Sequence, residues 1–159
     1  GPFQYPEKLI PKTIVNALQG KHIPIYGNGT QIRDWMYVED TVNALLAIAE
    51  KGRPGETYNV GTQNEIQNLQ LVNKICEILD EIKPLVIARS DSDVAISSYK
   101  DLITHVKDRP GHDQRYAIDS SKIQIQLGWQ SKESFQTGLC KTVEWYLNHQ
   151  TWWNRNTHY

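Results

Sequence analysis

Two short segments of the chain concentrate the residue types that hold anions. In the first, Gly27-Asn28-Gly29-Thr30 follows the apolar run Ile23-Pro24-Ile25-Tyr26 and precedes Arg33-Asp34-Trp35. In the second, Asp108-Arg109-Pro110-Gly111-His112 puts an arginine and a histidine on opposite arms of a Pro-Gly turn. Asn-Gly and Pro-Gly make tight turns at little conformational cost. A guanidinium beside such a turn can fork onto a phosphate through two parallel hydrogen bonds, and two arginines converging in this way would hold a diphosphate. Each residue also has an ordinary role open to it. The glycine turn suits a plain hairpin, Arg33 an ion pair with Asp34 or Glu39, and Arg109 a solvated surface position, while Arg115 could pair with Asp113 or Asp119. Asn68 divides between capping a helix and binding a ribose or phosphate at that helix's N-terminus. Tyr26 and Pro24 could stack on and cover a base, or belong to the core.

Other chemistries lack their parts. The five histidines, His22, His105, His112, His149 and His158, show no metal-site spacing. No Gly-x-Ser-x-Gly elbow occurs, and neither Cys76 nor Cys140 has a neighbouring histidine to activate it. A Tyr-x-x-x-Lys pair is absent. So is any Gly-x-x-Gly-x-x-Gly or Gly-x-Gly-x-x-Gly turn, which would let a backbone approach a dinucleotide pyrophosphate. A net charge of −1 over 159 residues supplies no general field for nucleic acid or membrane, so neither is expected as a partner. There is no apolar run near 18 residues and no charged-then-apolar leader, and both cysteines read as small hydrophobes of a reducing, cytoplasmic protein.

The elements that must position these residues follow from periodicity. Ile10, Ile14, Val15 and Leu18 predict a first helix over 9–18, with Pro11 in its first turn and Gly20 as its stop. Val42, Leu45, Leu46 and Ala49 predict a second, capped by Asp40 and ended by Gly52. Thr57-Tyr58-Asn59-Val60-Gly61 reads as a short buried strand. A third helix begins at Asn68, with Leu69, Val72, Ile75, Cys76 and Leu79 on one stripe. Residues 85–88 and 103–106 are strand candidates flanking a polar loop over 89–100. A fourth helix runs from an Asp119 cap to Gly128. A fifth starts at Ser134 and turns Phe135, Leu139, Val143, Tyr146 and Leu147 inward. The aromatic tail from Thr151 has no period, and Trp152-Trp153 reads as packing. Helices outnumber short, scattered strands, which suits an α/β piece attached to something larger.

Taken in order, six segments resemble a known family. They are Gly1-Pro2-Phe3-Gln4-Tyr5-Pro6-Glu7-Lys8-Leu9-Ile10-Pro11, Pro24-Ile25-Tyr26-Gly27-Asn28-Gly29, Gln31-Ile32-Arg33-Asp34-Trp35-Met36-Tyr37-Val38-Glu39-Asp40, Gly55-Glu56-Thr57-Tyr58-Asn59-Val60-Gly61, Asp108-Arg109-Pro110-Gly111-His112-Asp113 and Lys141-Thr142-Val143-Glu144-Trp145-Tyr146-Leu147. Over essentially its whole length the chain is similar to the C-terminal portion of the extended short-chain dehydrogenase/reductases that dehydrate nucleotide sugars. The resemblance implies an NAD-dependent lyase of deoxysugar biosynthesis. In such enzymes NAD oxidises the C4 hydroxyl of dTDP-glucose, water leaves across C5 and C6, and hydride returns to C6. It also implies site residues: Lys8 and Leu9 lining the nucleotide pocket, Pro24, Ile25 and Tyr26 around the thymine, Arg33 and Arg109 on the diphosphate, and Asn68 and His112 completing its surroundings.

The family's glycine fingerprint, its Thr-Asp-Glu acid/base cluster and its Tyr-x-x-x-Lys pair belong to the half that precedes this one, and none is in this sequence. The expectation is therefore an α/β, helix-rich substrate-binding domain spanning 1–159, with the Rossmann half and its NAD missing. Such a fragment holds no catalytic residue, is inactive by itself, and tends to form a homo-oligomer or to self-associate. The loop at 89–100 looks longer than its family counterpart. A UDP-sugar dehydratase, epimerase or decarboxylase of the same family, and a non-catalytic nucleotide-sugar-binding module, are the alternative readings.

Overall fold

A computed structural model describes residues 1–85 and 97–155. Helix α1 (Leu9–Leu18) buries Ile14, Val15 and Ala17, and Gly20 beyond it adopts φ +64°, the left-handed stop its sequence suggests. The chain then enters β1 (Ile23–Tyr26), which pairs in parallel with β4 (Ile103–Val106) in the register Ile23 to Ile103 through Tyr26 to Val106. A separate antiparallel pair joins β2 (Ile32–Asp34) to β3 (Glu65–Gln67). Five further helices are α2 (Val38–Lys51), α3 (Asn68–Ile82), α4 (Ser121–Leu127), α5 (Phe135–Asn148) and α6 (Gln150–Arg155). The main core lies where α1, α3 and α5 meet β1, with Ile14, Ile25, Leu71, Ile75, Leu79 and Val143 all but inaccessible. A smaller cluster packs Ala44 of α2 against Ile123 and Leu127 of α4 and against Trp129.

The structure corrects several sequence expectations. Asp40 does not cap α2. It lies in the first turn, 2 % exposed, and its carboxylate accepts the backbone N–H groups of Lys132 and Glu133 at 2.9 and 3.0 Å, anchoring the entry to α5. The stripe Val42, Leu45 and Leu46 faces outward, and Ala49 is exposed with it. The packed face of α2 is instead the one bearing Ala44, Ala47 and Ile48. Residues 57–61 form no strand, because no described strand lies alongside to complete a ladder. The α3 cap is Gln67, paired with Gln70 in a reciprocal capping box, and Asn68 is the first residue of the helix proper. The α4 cap is Ser120, although the Asp119 carboxylate accepts the N–H of Ser121 at 2.9 Å. Arg115 pairs with Glu65, through Nε at 2.6 Å and Nη2 at 3.0 Å, and with neither Asp113 nor Asp119.

Most of the strand candidate at 85–88 and most of the loop at 89–100 lie outside the described residues, and Tyr99–Leu102 forms a 3₁₀ turn. The tail, read from Thr151 as aromatic and without period, is helical as far as it is described, in α6 (Gln150–Arg155). Trp153 is 3 % exposed and donates its indole N–H to the carbonyl of Tyr146 at 2.9 Å, while Trp152 meets Phe3 and Trp145 edge to face. That docking supplies what six residues could not supply from helix propensity alone. Cys76 is buried in the core as expected, and burial pushes its thiol up to about 12; Cys140 is half-buried, and both are free.

Candidate functional site

Because β1 and β4 are parallel and in register, both strands deliver their C-terminal ends to one edge. The Gly27-Asn28-Gly29 turn and the Asp108–His112 loop therefore lie side by side, though about eighty residues separate them in sequence. The ladder continues into the turn, with the Gly27 N–H donating to Val106 at 2.9 Å. Gly27 and Gly29 have φ of +57° and +71°, and a Cβ on Gly29 would sit 2.8 Å from both Ile25 and Leu69. The turn is thus no hairpin; it lets the backbone pass close beneath α3, whose Leu69 N–H donates to the Gly29 carbonyl at 3.0 Å.

Over this edge opens a cleft of about 340 Å³. Glu7, Lys8, Leu9 and Lys12 line it from the start of α1, Pro24 and Tyr26 from β1, Asn68 from the head of α3, and Arg109 and His112 from the loop after β4. Seven of the nine residues singled out from the sequence thus share one cavity. The remaining two lie elsewhere. Ile25 is 1 % exposed and turned into the main core. The Arg33 guanidinium stacks 4.2 Å from the centre of the Tyr116 ring and donates to the carbonyls of Ile32 and Asp113 at 2.7 and 2.9 Å. It makes neither of the ion pairs considered for it, and it holds the segment just beyond His112.

The cleft carries more positive than negative charge, and its cations are unevenly engaged. Lys8 pairs with Glu7 at 2.8 Å on an open surface, where such a contact contributes little. The side chains of Lys12 and Arg109 take part in none of the ion pairs or hydrogen bonds found among the described residues. Asp108 is the local anion. Its Oδ1 accepts His112 Nδ1 at 2.7 Å and the Arg109 N–H at 2.9 Å, and its Oδ2 accepts Gln31 Nε2 at 2.8 Å. Above all, the His112 hydrogen bond holds the Asp108 carboxyl below the usual carboxylate range. A carboxylate only accepts, so Nδ1 of His112 carries a proton in this contact. Tyr26 meets that imidazole edge-on at 6.3 Å. Asn68 donates its backbone N–H to Gln31, while its buried Oδ1 has no partner.

Chemically, the cleft can hold an elongated anion. Apolar and aromatic surface from Leu9, Pro24 and Tyr26 suits a planar ring, and cationic donors suit phosphate oxygens. Glu7, Lys12, Gln31 and Asp108 were not singled out from the sequence. Lys12 falls one helical turn after Lys8, a spacing that could have flagged it; nothing local marks Gln31 as buried.

The chain is similar to known proteins in both sequence and structure. The family described as GDP-mannose 4,6 dehydratase matches residues 1–142. A probable dTDP-glucose 4,6-dehydratase of Sinorhizobium fredii is 55% identical over 96% of this chain and 41% of its own length. The crystal structure of a dTDP-glucose 4,6-dehydratase from Bacillus anthracis in complex with NAD is 39% identical, with a TM-score of 0.83 over 99% of this chain and 44% of that one. The Streptomyces venezuelae dTDP-glucose 4,6-dehydratase with NAD and dTDP bound gives the same TM-score and coverage at 34% identity. The chain thus spans roughly two-fifths of the length of these relatives.

Proposed function

The chain belongs to the GDP-mannose 4,6-dehydratase family, and from that premise we propose that it is the nucleotide-sugar-binding part of an NAD-dependent dTDP-glucose 4,6-dehydratase. The observation that carries this reading is the convergence of Lys8, Leu9, Pro24, Tyr26, Asn68, Arg109 and His112, drawn from four separate segments, on one cleft at a shared strand edge. In this reading Pro24 and Tyr26 enclose the base, with the side of α1 at Leu9. Arg109 and Lys8 meet the diphosphate, and Arg33 backs the segment that follows His112. Ile25 contributes through its backbone alone.

In this reading NAD is held outside this chain. The β1 turn leads into β2 rather than into a helix, and among the described residues no glycine-rich strand-to-helix turn is available to receive a pyrophosphate. Binding and orienting the nucleotide sugar is this chain's share of the work. No helix among the described residues is long and apolar enough to cross a membrane.

Calorimetric titration of dTDP into the chain tests the reading. Saturable binding, tighter than that of inorganic pyrophosphate, is expected because both ring and diphosphate have surfaces to meet. Failure of dTDP and UDP alike to bind overturns it.

The second part of the proposal is self-association. Val42, Leu45 and Leu46 are 49, 59 and 54 % exposed along one side of α2, so this helix presents an apolar stripe that a second copy could cover. Sedimentation velocity is expected to show mass rising with concentration, and Leu45→Asp to return the chain to monomer. A wild-type monomer at every concentration would count against the contact.

A further inference from the structure

Gln31 touches two walls of the cleft, the head of α3 and the loop after β4, without lining it. It lies between β1 and β2 and is 3 % exposed. Its Nε2 donates to Asp108 Oδ2 at 2.8 Å, across 77 residues of sequence. Its backbone carbonyl accepts the N–H of Asn68 at 2.9 Å. Asp108 in turn uses Oδ1 for His112 Nδ1 and for the Arg109 N–H. Asn68, Arg109 and His112 therefore all hang, directly or through one carboxylate, from a single buried side chain and its peptide.

Fold stability alone is a weak reason for an amide at this position, since only one of its two polar ends is engaged. Its Oε1 is buried without a partner, and an unpaired buried acceptor destabilises the folded chain. What the amide supplies is orientation. A carboxylate on an exposed loop is free to turn about its terminal torsion, whose preferences are broad. With Oδ2 engaged from beneath by Gln31, the Asp108 carboxylate keeps Oδ1 towards His112. The imidazole is thereby fixed with Nδ1 occupied, leaving Nε2 as the nitrogen open to a ligand. The room is also tight, since a Cβ on Gly27 would stand 3.1 Å from the same Oδ2.

We propose that Gln31 is a positioning residue for nucleotide binding, holding His112 and Arg109 in their ligand-binding orientation through Asp108. This rests on the cleft being the nucleotide-sugar site.

The test uses Gln31→Met, which keeps length and burial but removes the donor. The variant is expected to bind dTDP about three- to tenfold more weakly, the effect of one net hydrogen bond. Its melting temperature should change little, because the orphaned oxygen goes together with the hydrogen bond to Asp108. A merely structural role would not move the ¹⁵N spectrum of His112, which is expected to change from one ring form to a mixture. In an Asp108→Ala background Gln31→Met should cost no further affinity, since the path runs through that carboxylate. The inference is overturned if Gln31→Met binds dTDP like wild type with an unaltered His112 spectrum, or if the losses simply add. A wild-type chain that does not bind dTDP removes the cleft reading and this inference together. Intact wild-type binding with an indifferent Gln31→Met removes only the inference.

Discussion

Arg109→Ala is expected to weaken dTDP binding by roughly 10- to 100-fold, about 1.5–3 kcal/mol, the range for hydrogen bonds to a charged partner. The size follows from what Arg109 does without a ligand. Its side chain lines the cleft yet makes no ion pair or hydrogen bond among the described residues, so truncation leaves no buried partner stranded. Urea denaturation should therefore barely register the change, and calorimetry should register it fully. Arg33→Ala makes the useful contrast. Two of its five donors already serve backbone carbonyls, and its plane stacks on Tyr116. Its loss should weaken binding less and perturb the Asp113 segment more. Equal binding by Arg109→Ala and wild type would remove the diphosphate from this cleft.

Asp34→Ala should lower the free energy of unfolding by about 2–4 kcal/mol, as expected when several hydrogen bonds to one carboxylate are lost together. Asp34 is the neighbour of Arg33 in sequence, but its work is structural. Oδ1 accepts the Thr62 hydroxyl at 2.8 Å and the Asn64 N–H at 3.0 Å; Oδ2 accepts the N–H groups of Thr62 and Gln63 at 2.8 and 3.3 Å. These bonds hold Gln63 in the left-handed region at φ +59°, a conformation that costs a non-glycine residue energy. They also set the segment that enters β3 and so the head of α3, where Asn68 meets the cleft. Asp34→Asn should recover only part of the loss, because one of its two terminal groups turns donors towards N–H donors. Chemical denaturation checks both variants, and an unchanged midpoint for Asp34→Ala would refute the account.

What could be read from the sequence depended on how far away the deciding contact lies. Helices α1 and α5 are written in spacing and end signals that each segment carries itself: Gly20 after Leu18, and Ser134, whose hydroxyl accepts the Thr137 N–H. The stripe on α2 was equally legible as apolar, but periodicity does not say which neighbour covers a face. Residues 57–61 have strand composition and no partner, and a strand is a relation between two segments. Asp40 looked like a cap because it stood near the start of a helix, whereas its two hydrogen bonds reach more than ninety residues ahead. The cleft followed the same division. Residue types and the resemblance pointed to seven of its lining residues. The burial of Gln31 and its tie to Asp108 could not be seen from either loop alone.

The parallel pairing of β1 with β4 also shapes how the protein comes to exist. Some eighty residues, including α2 and α3, must close as a loop before Tyr26 and Val106 can meet. Closing long loops is entropically costly and slows folding. The cleft cannot form early as a local unit, so it should arise late and cooperatively with the main core. A nucleotide that binds only the finished cleft then stabilises the whole chain by mass action, about 2.7 kcal/mol at a hundred times its dissociation constant. Native-state hydrogen exchange would show that protection spread over β1, β4 and the helices beneath them rather than confined to the two loops the ligand touches.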